Sequence, residues 1–96
     1  MVKHIVCFRL KEPTAEGCRQ AQEKLLSMRE HVPMLRALQV GINVTQSARA
    51  YDLVLEAELD DLDALAAYDA DAYHCGVVKA YMHERTADCI CVDYLL

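Results

Sequence analysis

Apolar side chains recur at every second position of the first ten residues, a spacing typical of a β-strand. One face of this strand carries Val2, His4, Val6, Phe8 and Leu10, and the other carries Lys3, Ile5, Cys7 and Arg9. Because both faces include apolar residues, we expect both to be at least partly covered. The chain must therefore build a sheet that is covered on two sides.

Helical and strand-like periods alternate along the rest of the chain. They predict a helix over residues 15–31, strands over 38–44 and 51–59, a helix broken at 69–71 that resumes over 72–84, a turn at 86–88 and a strand over 89–96. Thr14 and either Asp60 or Asp61 are suited to cap the two helices, and Pro33 ends the first.

The order β-α-β-β-α-β is that of the ferredoxin-like α+β fold, a four-stranded antiparallel sheet with helices on one face. The opposite face has no helices of its own, yet it carries Ile5, Cys7, Val54 and, depending on strand register, Leu95. A second copy of the chain, packed sheet to sheet, would cover that face.

Composition supports this pairing of chains. The 96 residues suffice for one domain, 1–96, but 54% of them are hydrophobic, which is high for so small a body. We therefore expect a homodimer, the commonest oligomer.

Charge and cysteine content exclude several classes of protein. A net charge of −5 argues against a nucleic-acid surface, and no apolar run is long enough for a membrane span or typical of a signal peptide. The five cysteines form no C-x-x-C pair, and Cys89 and Cys91 are badly spaced for a shared zinc site. We expect a cytoplasmic protein with free thiols.

Two histidines stand out as candidates for a site. His74 shares a helical face with Val77, Val78 and Tyr81, and His4 lies on the strand face that the helices should cover. Each is either a structural histidine with an internal hydrogen bond or a titratable pocket residue. A metal bound by His4 and His74 would lack a carboxylate or cysteine at telling spacing, so we expect no metal and no cofactor.

The ordered segments VKHIVCFRLK, VPMLRALQVGINV, YDLVLEAEL, residues 68–76 and the closing VDY resemble the stress-responsive dimeric α+β barrel (Dabb) family over nearly the whole chain. The resemblance implies a barrel formed by two sheets. It extends distantly to a plant polyketide cyclase that makes olivetolic acid, whose catalytic histidine and tyrosine match His74 and Tyr68 and whose first-strand pocket histidine matches His4.

Two departures alter the expected pocket. Asp71-Ala72 stands where the family often has a His-Pro pair, and the first helix offers Leu25 and small or polar neighbours where the cyclase has aromatic residues. We expect a pocket between sheet and helices lined by His4, Val6, Phe8, Leu25, Val77, Val78 and Tyr81, with Tyr68 and His74 as candidate catalytic residues.

Four functions remain open at this point. The first is a dimeric module that binds a small apolar or aromatic molecule. The second is a cofactor-independent cyclase or lyase, in which His74 takes a proton beside a carbonyl while Tyr68 stabilises the enolate oxygen. The third is a quinol-type monooxygenase, although the chain has no tryptophan for the haem-degrading variant. The fourth is a self-assembling stress protein.

Overall fold

The computed structural model describes residues 1–96 and consists of one four-stranded antiparallel sheet with helices on one face. The strands are β1 (Val2–Leu10), β2 (Ala37–Ile42), β3 (Leu53–Leu59) and β4 (Thr86–Leu95). The helices are α1 (Ala15–Leu26), α2 (Leu62–Ala70) and α3 (Ala80–Arg85), with a 3₁₀ turn (Ser27–Glu30) after α1 and a π-helical segment (His74–Lys79) before α3. The strand order β2-β3-β1-β4 confirms the predicted ferredoxin-like fold.

Capping side chains mark where α1 and α2 begin. Thr14 Oγ1 accepts a hydrogen bond of 3.0 Å from the backbone N–H of Gly17. Asp61 rather than Asp60 caps α2, where its Oδ1 accepts from the N–H of Ala64 at 2.8 Å. These bonds satisfy donors that have no partner within the helix itself.

The first helix, α1, is shorter than the predicted range of residues 15–31. Regular α-helix ends at Leu26 and tightens into the 3₁₀ turn. At this point the hydroxyl of Ser27 donates to the carbonyl of Lys24, and such local side-chain bonds compete with the regular helical pattern.

The predicted strands over 38–44 and 51–59 are also too long. The chain turns at Asn43, whose side-chain amide donates to the carbonyl of Thr45 at 2.7 Å, an arrangement typical of turns. As a result, Val44 is 95% exposed instead of extending the strand.

The turn predicted at 86–88 is wrong, because α3 leads directly into β4. Thr86 already has extended backbone geometry and pairs with Leu10. A register shift between Arg9 and Leu10 accommodates this early pairing, so that the strand begins three positions before the predicted residue 89.

The core lies between the sheet and the helices. It combines the helix-facing residues of three strands with one side of α1 and parts of the later helices, and its largest fully buried side chains are Val2, Leu25, Met28, Val32, Leu53, Leu55, Leu59, Tyr68 and Val78. The helix-side face predicted for β1 is therefore the buried one.

The opposite face of the sheet, here called the open face, is apolar along β1 and β4. Ile5 pairs with Val92 and Cys7 pairs with Ile90, and directly paired residues point to the same side of a sheet. Ile90 and Val92 are 50% and 59% exposed. Leu95 pairs with Val2 and therefore lies on the helix side, so the prediction that it lies on the open face is wrong.

None of the helices has both the length and the apolar composition of a membrane-spanning segment.

Candidate functional site

A cavity of about 890 Å³ lies between the helix-side face of the sheet and the later helices. Eleven of its nineteen lining residues are hydrophobic. The predicted pocket residues that line it are His4, Val6, Phe8, Leu25, Tyr68, His74 and Val78. Its volume and apolar character are those of a small-molecule site.

Three aromatic rings meet at this cavity. Tyr68 stacks on His74 with ring centroids 4.2 Å apart, and its ring meets His4 edge to face at 5.4 Å. All three residues are buried. β1, α2 and the π-helical segment thus bring together the residues that the sequence analysis singled out.

Asp71 caps the helical turn that leads into the π-helical segment. Its Oδ2 accepts hydrogen bonds of 3.0 Å from the backbone N–H groups of both Tyr73 and His74. This aspartate therefore caps the turn that carries His74.

Val77 and Tyr81 do not line the cavity, contrary to the prediction. The prediction assumed α-helical spacing, whereas the chain from His74 to Lys79 is π-helical, with bonds from i to i+5. The wider turn rotates later side chains around the axis. Val77 is 38% exposed, and Tyr81 lies under the guanidinium of Arg85 at 3.7 Å.

Burial controls the protonation of the stacked pair. It lowers the pKa of His74, and the positive charge of Lys79 lowers it further, with partial opposition from nearby backbone carbonyls. Nδ1 of His74 is buried and makes no hydrogen bond. His74 is accordingly a neutral imidazole at neutral pH, with one nitrogen free of any partner.

Tyr68 is a neutral phenol for the same reason. Burial raises its pKa strongly, and the negative charge of Asp69 adds to the effect. Its hydroxyl donates only to the sulfur of Met28, at 3.9 Å, which is a weak acceptor. The phenolic proton is therefore held loosely and remains suitable for donation to a ligand oxygen.

His4 has an internal hydrogen-bond partner, which is a carboxylate. Its Nδ1 donates to Oδ1 of Asp93 at 2.5 Å. The thiol of Cys91 lies 3.7 Å from both of these atoms. Burial of the thiol raises the pKa of Cys91 to about 11, with the charge of Asp93 contributing.

Sequence reasoning missed Asp71, Cys91 and Asp93. Asp71 stands at the helix break, and an aspartate three residues before His74 is a capping signal that could have been used. Cys91 and Asp93 become neighbours of His4 only through the pairing of β4 with β1, in which Asp93 lies opposite His4. No spacing within one segment encodes that contact.

Solved structures of other proteins share this fold over nearly the whole chain. A dimeric ferredoxin-like protein of unknown function from Thermobifida fusca is 26% identical, with a TM-score of 0.84 over 99% of this chain and 90% of that one. A dimeric protein of unknown function from Bacteroides fragilis is 25% identical, with a TM-score of 0.82 over 99% and 95% of the two chains.

A hydroxynitrile lyase from Passiflora edulis shares the fold at 13% identity, with a TM-score of 0.82 over 99% of this chain and 92% of that one. No protein of curated function matches the chain significantly. The family model of the stress responsive A/B barrel domain matches residues 2–96. The chain therefore belongs to the stress responsive A/B barrel (Dabb) family.

Proposed function

We propose that the protein is a homodimer that binds a small apolar or aromatic molecule in the cavity between sheet and helices. The cavity itself is the observation that carries this proposal. Its volume of about 890 Å³ falls within the range of about 300–1,000 Å³ found for ligand pockets. It combines an apolar lining with a few polar groups that can orient a ligand.

The arrangement of rings favours a planar ligand. Phe8 from β1 lines the same cavity as the stacked Tyr68 and His74. Aromatic rings pack well against one another in offset or edge-to-face arrangements. A phenol or aryl ketone can pack against these rings and direct its oxygen to the weakly bonded hydroxyl of Tyr68.

The exposed apolar surface of the open face supports the proposed dimer. The apolar side chains of β4 on this face are about half exposed in a single chain, and both relatives described above are dimeric. Sheet-to-sheet packing would remove this apolar surface from water.

We also propose a cytoplasmic location, because the five free cysteines fit a reducing compartment.

A panel of small phenols, aryl ketones, benzoates and aliphatic alcohols, screened by ligand-observed NMR and titrated by calorimetry, tests the binding proposal. Ala80 is an exposed helical alanine that lines the cavity, and Ala67 is an exposed helical alanine that does not. We expect aromatic members to bind, and A80W to weaken them at least about tenfold while A67W does not. Absence of binding, or equal affinity in both variants, would overturn the proposal.

A cofactor-independent cyclase or lyase is the second candidate. The observation that favours it is the neutral imidazole of His74, whose Nδ1 has no hydrogen-bond partner, beside the phenol of Tyr68. In such a reaction the imidazole takes a proton next to a carbonyl, and the phenol donates to the oxygen where negative charge develops.

Two assays address this second candidate. Hydrogen–deuterium exchange next to the carbonyl of an aryl ketone, followed by NMR in D₂O, reports enolisation. Release of cyanide from mandelonitrile reports the lyase chemistry named for the Passiflora relative. Catalysis by the native protein that is lost in H74A supports the candidate. Exchange and cyanide release that both proceed at the uncatalysed rate count against it.

A further inference from the structure

We propose that His4, Cys91 and Asp93 form a binding site for one zinc-like divalent cation per chain. The three side chains lie on the helix-side face of neighbouring strands β1 and β4. Their ligand atoms, one imidazole nitrogen, one thiol sulfur and one carboxylate oxygen, all lie within 4.8 Å of one another. His4 also lines the cavity, but this proposal does not depend on the binding of an organic molecule.

The strand pairing fixes this arrangement. Asp93 lies directly opposite His4, and Cys91 lies opposite Val6, so all three side chains leave the sheet on the same side. Because two paired strands hold the ligands, the backbone geometry of the site is set by the fold and not by a flexible loop. The ligands also point away from the open face, which leaves them free in the proposed dimer.

The distances suit tetrahedral coordination. Zinc binds sulfur at about 2.3 Å and nitrogen or oxygen at about 2.1 Å, which corresponds to about 3.6 Å between a sulfur and a nitrogen or oxygen ligand and about 3.4 Å between nitrogen and oxygen. The sulfur of Cys91 already lies 3.7 Å from Nδ1 of His4 and 3.7 Å from Oδ1 of Asp93.

Only one of the three distances between ligand atoms has to change when an ion binds. Nδ1 of His4 and Oδ1 of Asp93 are 2.5 Å apart because they share a hydrogen bond. Replacing the proton of that bond by a cation requires the two atoms to separate by about 0.9 Å. A rotation of the exposed Asp93 side chain supplies this movement without any shift of the backbone.

The donor set selects the class of metal. Imidazole and thiolate favour zinc, cobalt, nickel or copper, whereas magnesium and calcium require oxygen ligands. Three protein ligands leave a fourth position for water, which is the pattern of open zinc sites and not of closed structural ones. Binding releases the thiol proton of Cys91, because the thiolate is the metal ligand. The proton on Nδ1 of His4 moves to Nε2, because only an unprotonated imidazole nitrogen binds a metal.

Cobalt(II) titration of the reduced, chelator-treated protein tests the site directly, since a thiolate ligand produces a sulfur-to-cobalt charge-transfer band. We expect the band to saturate at one cobalt per chain, to disappear when zinc is added and to remain when magnesium is added. H4Q and D93N should each weaken zinc binding at least about tenfold.

Cys89 provides a matched control. It is exposed on the same strand, two residues from Cys91, and lies outside the cluster. C91S should lose the band and C89S should keep it. Absence of a thiolate band at millimolar cobalt, or its persistence in C91S, overturns the proposal.

Cadmium-113 NMR of the native sequence provides a measurement that does not depend on whether C91S folds. Its chemical shift reports how many sulfur atoms bind the ion. A shift typical of one sulfur ligand supports the site. A shift typical of oxygen and nitrogen alone, or of two or more sulfur ligands, contradicts it.

Discussion

Tyr68 and His74 stack with their ring centroids 4.2 Å apart and their planes 23° from parallel. They belong to different helical segments, and Asp71 stands between them at the end of α2. The break in the helix is therefore what allows one ring to lie on the other. At this stack the core and the cavity meet, and its two residues should respond differently to substitution.

The stability of the protein should depend on the ring of Tyr68 much more than on its hydroxyl. Y68F removes only a weak bond to sulfur and should change the free energy of unfolding by less than about 1 kcal/mol. Y68A empties a site that is 1% exposed and should cost about 3–5 kcal/mol. Urea denaturation measures both values. A large effect of Y68F would show that the hydroxyl has a stronger partner than Met28.

Protonation of His74 should destabilise the fold. Its pKa lies below the usual 6.5 in the folded protein because of burial, whereas the unfolded chain titrates near that usual value. Between those two pKa values the unfolded chain binds a proton that the folded chain does not. Stability conferred by a neutral His74 is therefore complete above about pH 7.5 and is lost as the pH falls from 6.5 through the lower pKa of the folded protein.

Comparison of the native protein with H74F isolates this contribution. The free energy of unfolding of the native protein should fall more steeply between pH 7.5 and pH 5.5, by at most about 1.4 kcal/mol per pH unit. Phenylalanine preserves the stack and does not titrate in this range. Parallel pH profiles of the two proteins would contradict a depressed pKa for His74.

Loss of the Asp71 cap should displace His74. D71A removes the acceptor for two backbone N–H groups and should cost about 1 kcal/mol of stability. D61A removes the cap of α2 at a similar cost, which makes it the control. NMR should show a changed His74 ring resonance in D71A alone. Equal changes in both variants would mean that general destabilisation, not capping, is responsible.

Much of the fold could be predicted because it depends on local periodicity. The alternation around His4 identified the helix-facing side of β1 without any knowledge of β4. The ends of elements were less predictable, because they depend on local side-chain bonds at Ser27 and Asn43 and on a register shift beside Leu10.

The candidate site was predictable only in part. A π-helical segment differs from an α-helix in its spacing, and the pattern around His74 fits either one, so Val77 and Tyr81 were assigned to the cavity. The contact of His4 with Asp93 joins residues 89 positions apart. Such contacts are set by strand register, which depends on the packing of the whole sheet.

The open face should be the surface that joins two chains. Val92 lies on this face in β4, paired with Ile5 and 59% exposed in the single chain. V92K places a charge where a second sheet would exclude water, an environment that disfavours an unpaired charge. We expect it to weaken dimerisation at least about 100-fold, or about 2.7 kcal/mol.

Light scattering coupled to size-exclusion chromatography measures the effect. The native protein should have the mass of two chains at micromolar concentration, and V92K the mass of one. V44K is the control, because it makes the same change at a loop residue that is 95% exposed, and it should remain dimeric. A monomeric native protein, or a dimer that persists in V92K, would exclude the open face as the interface.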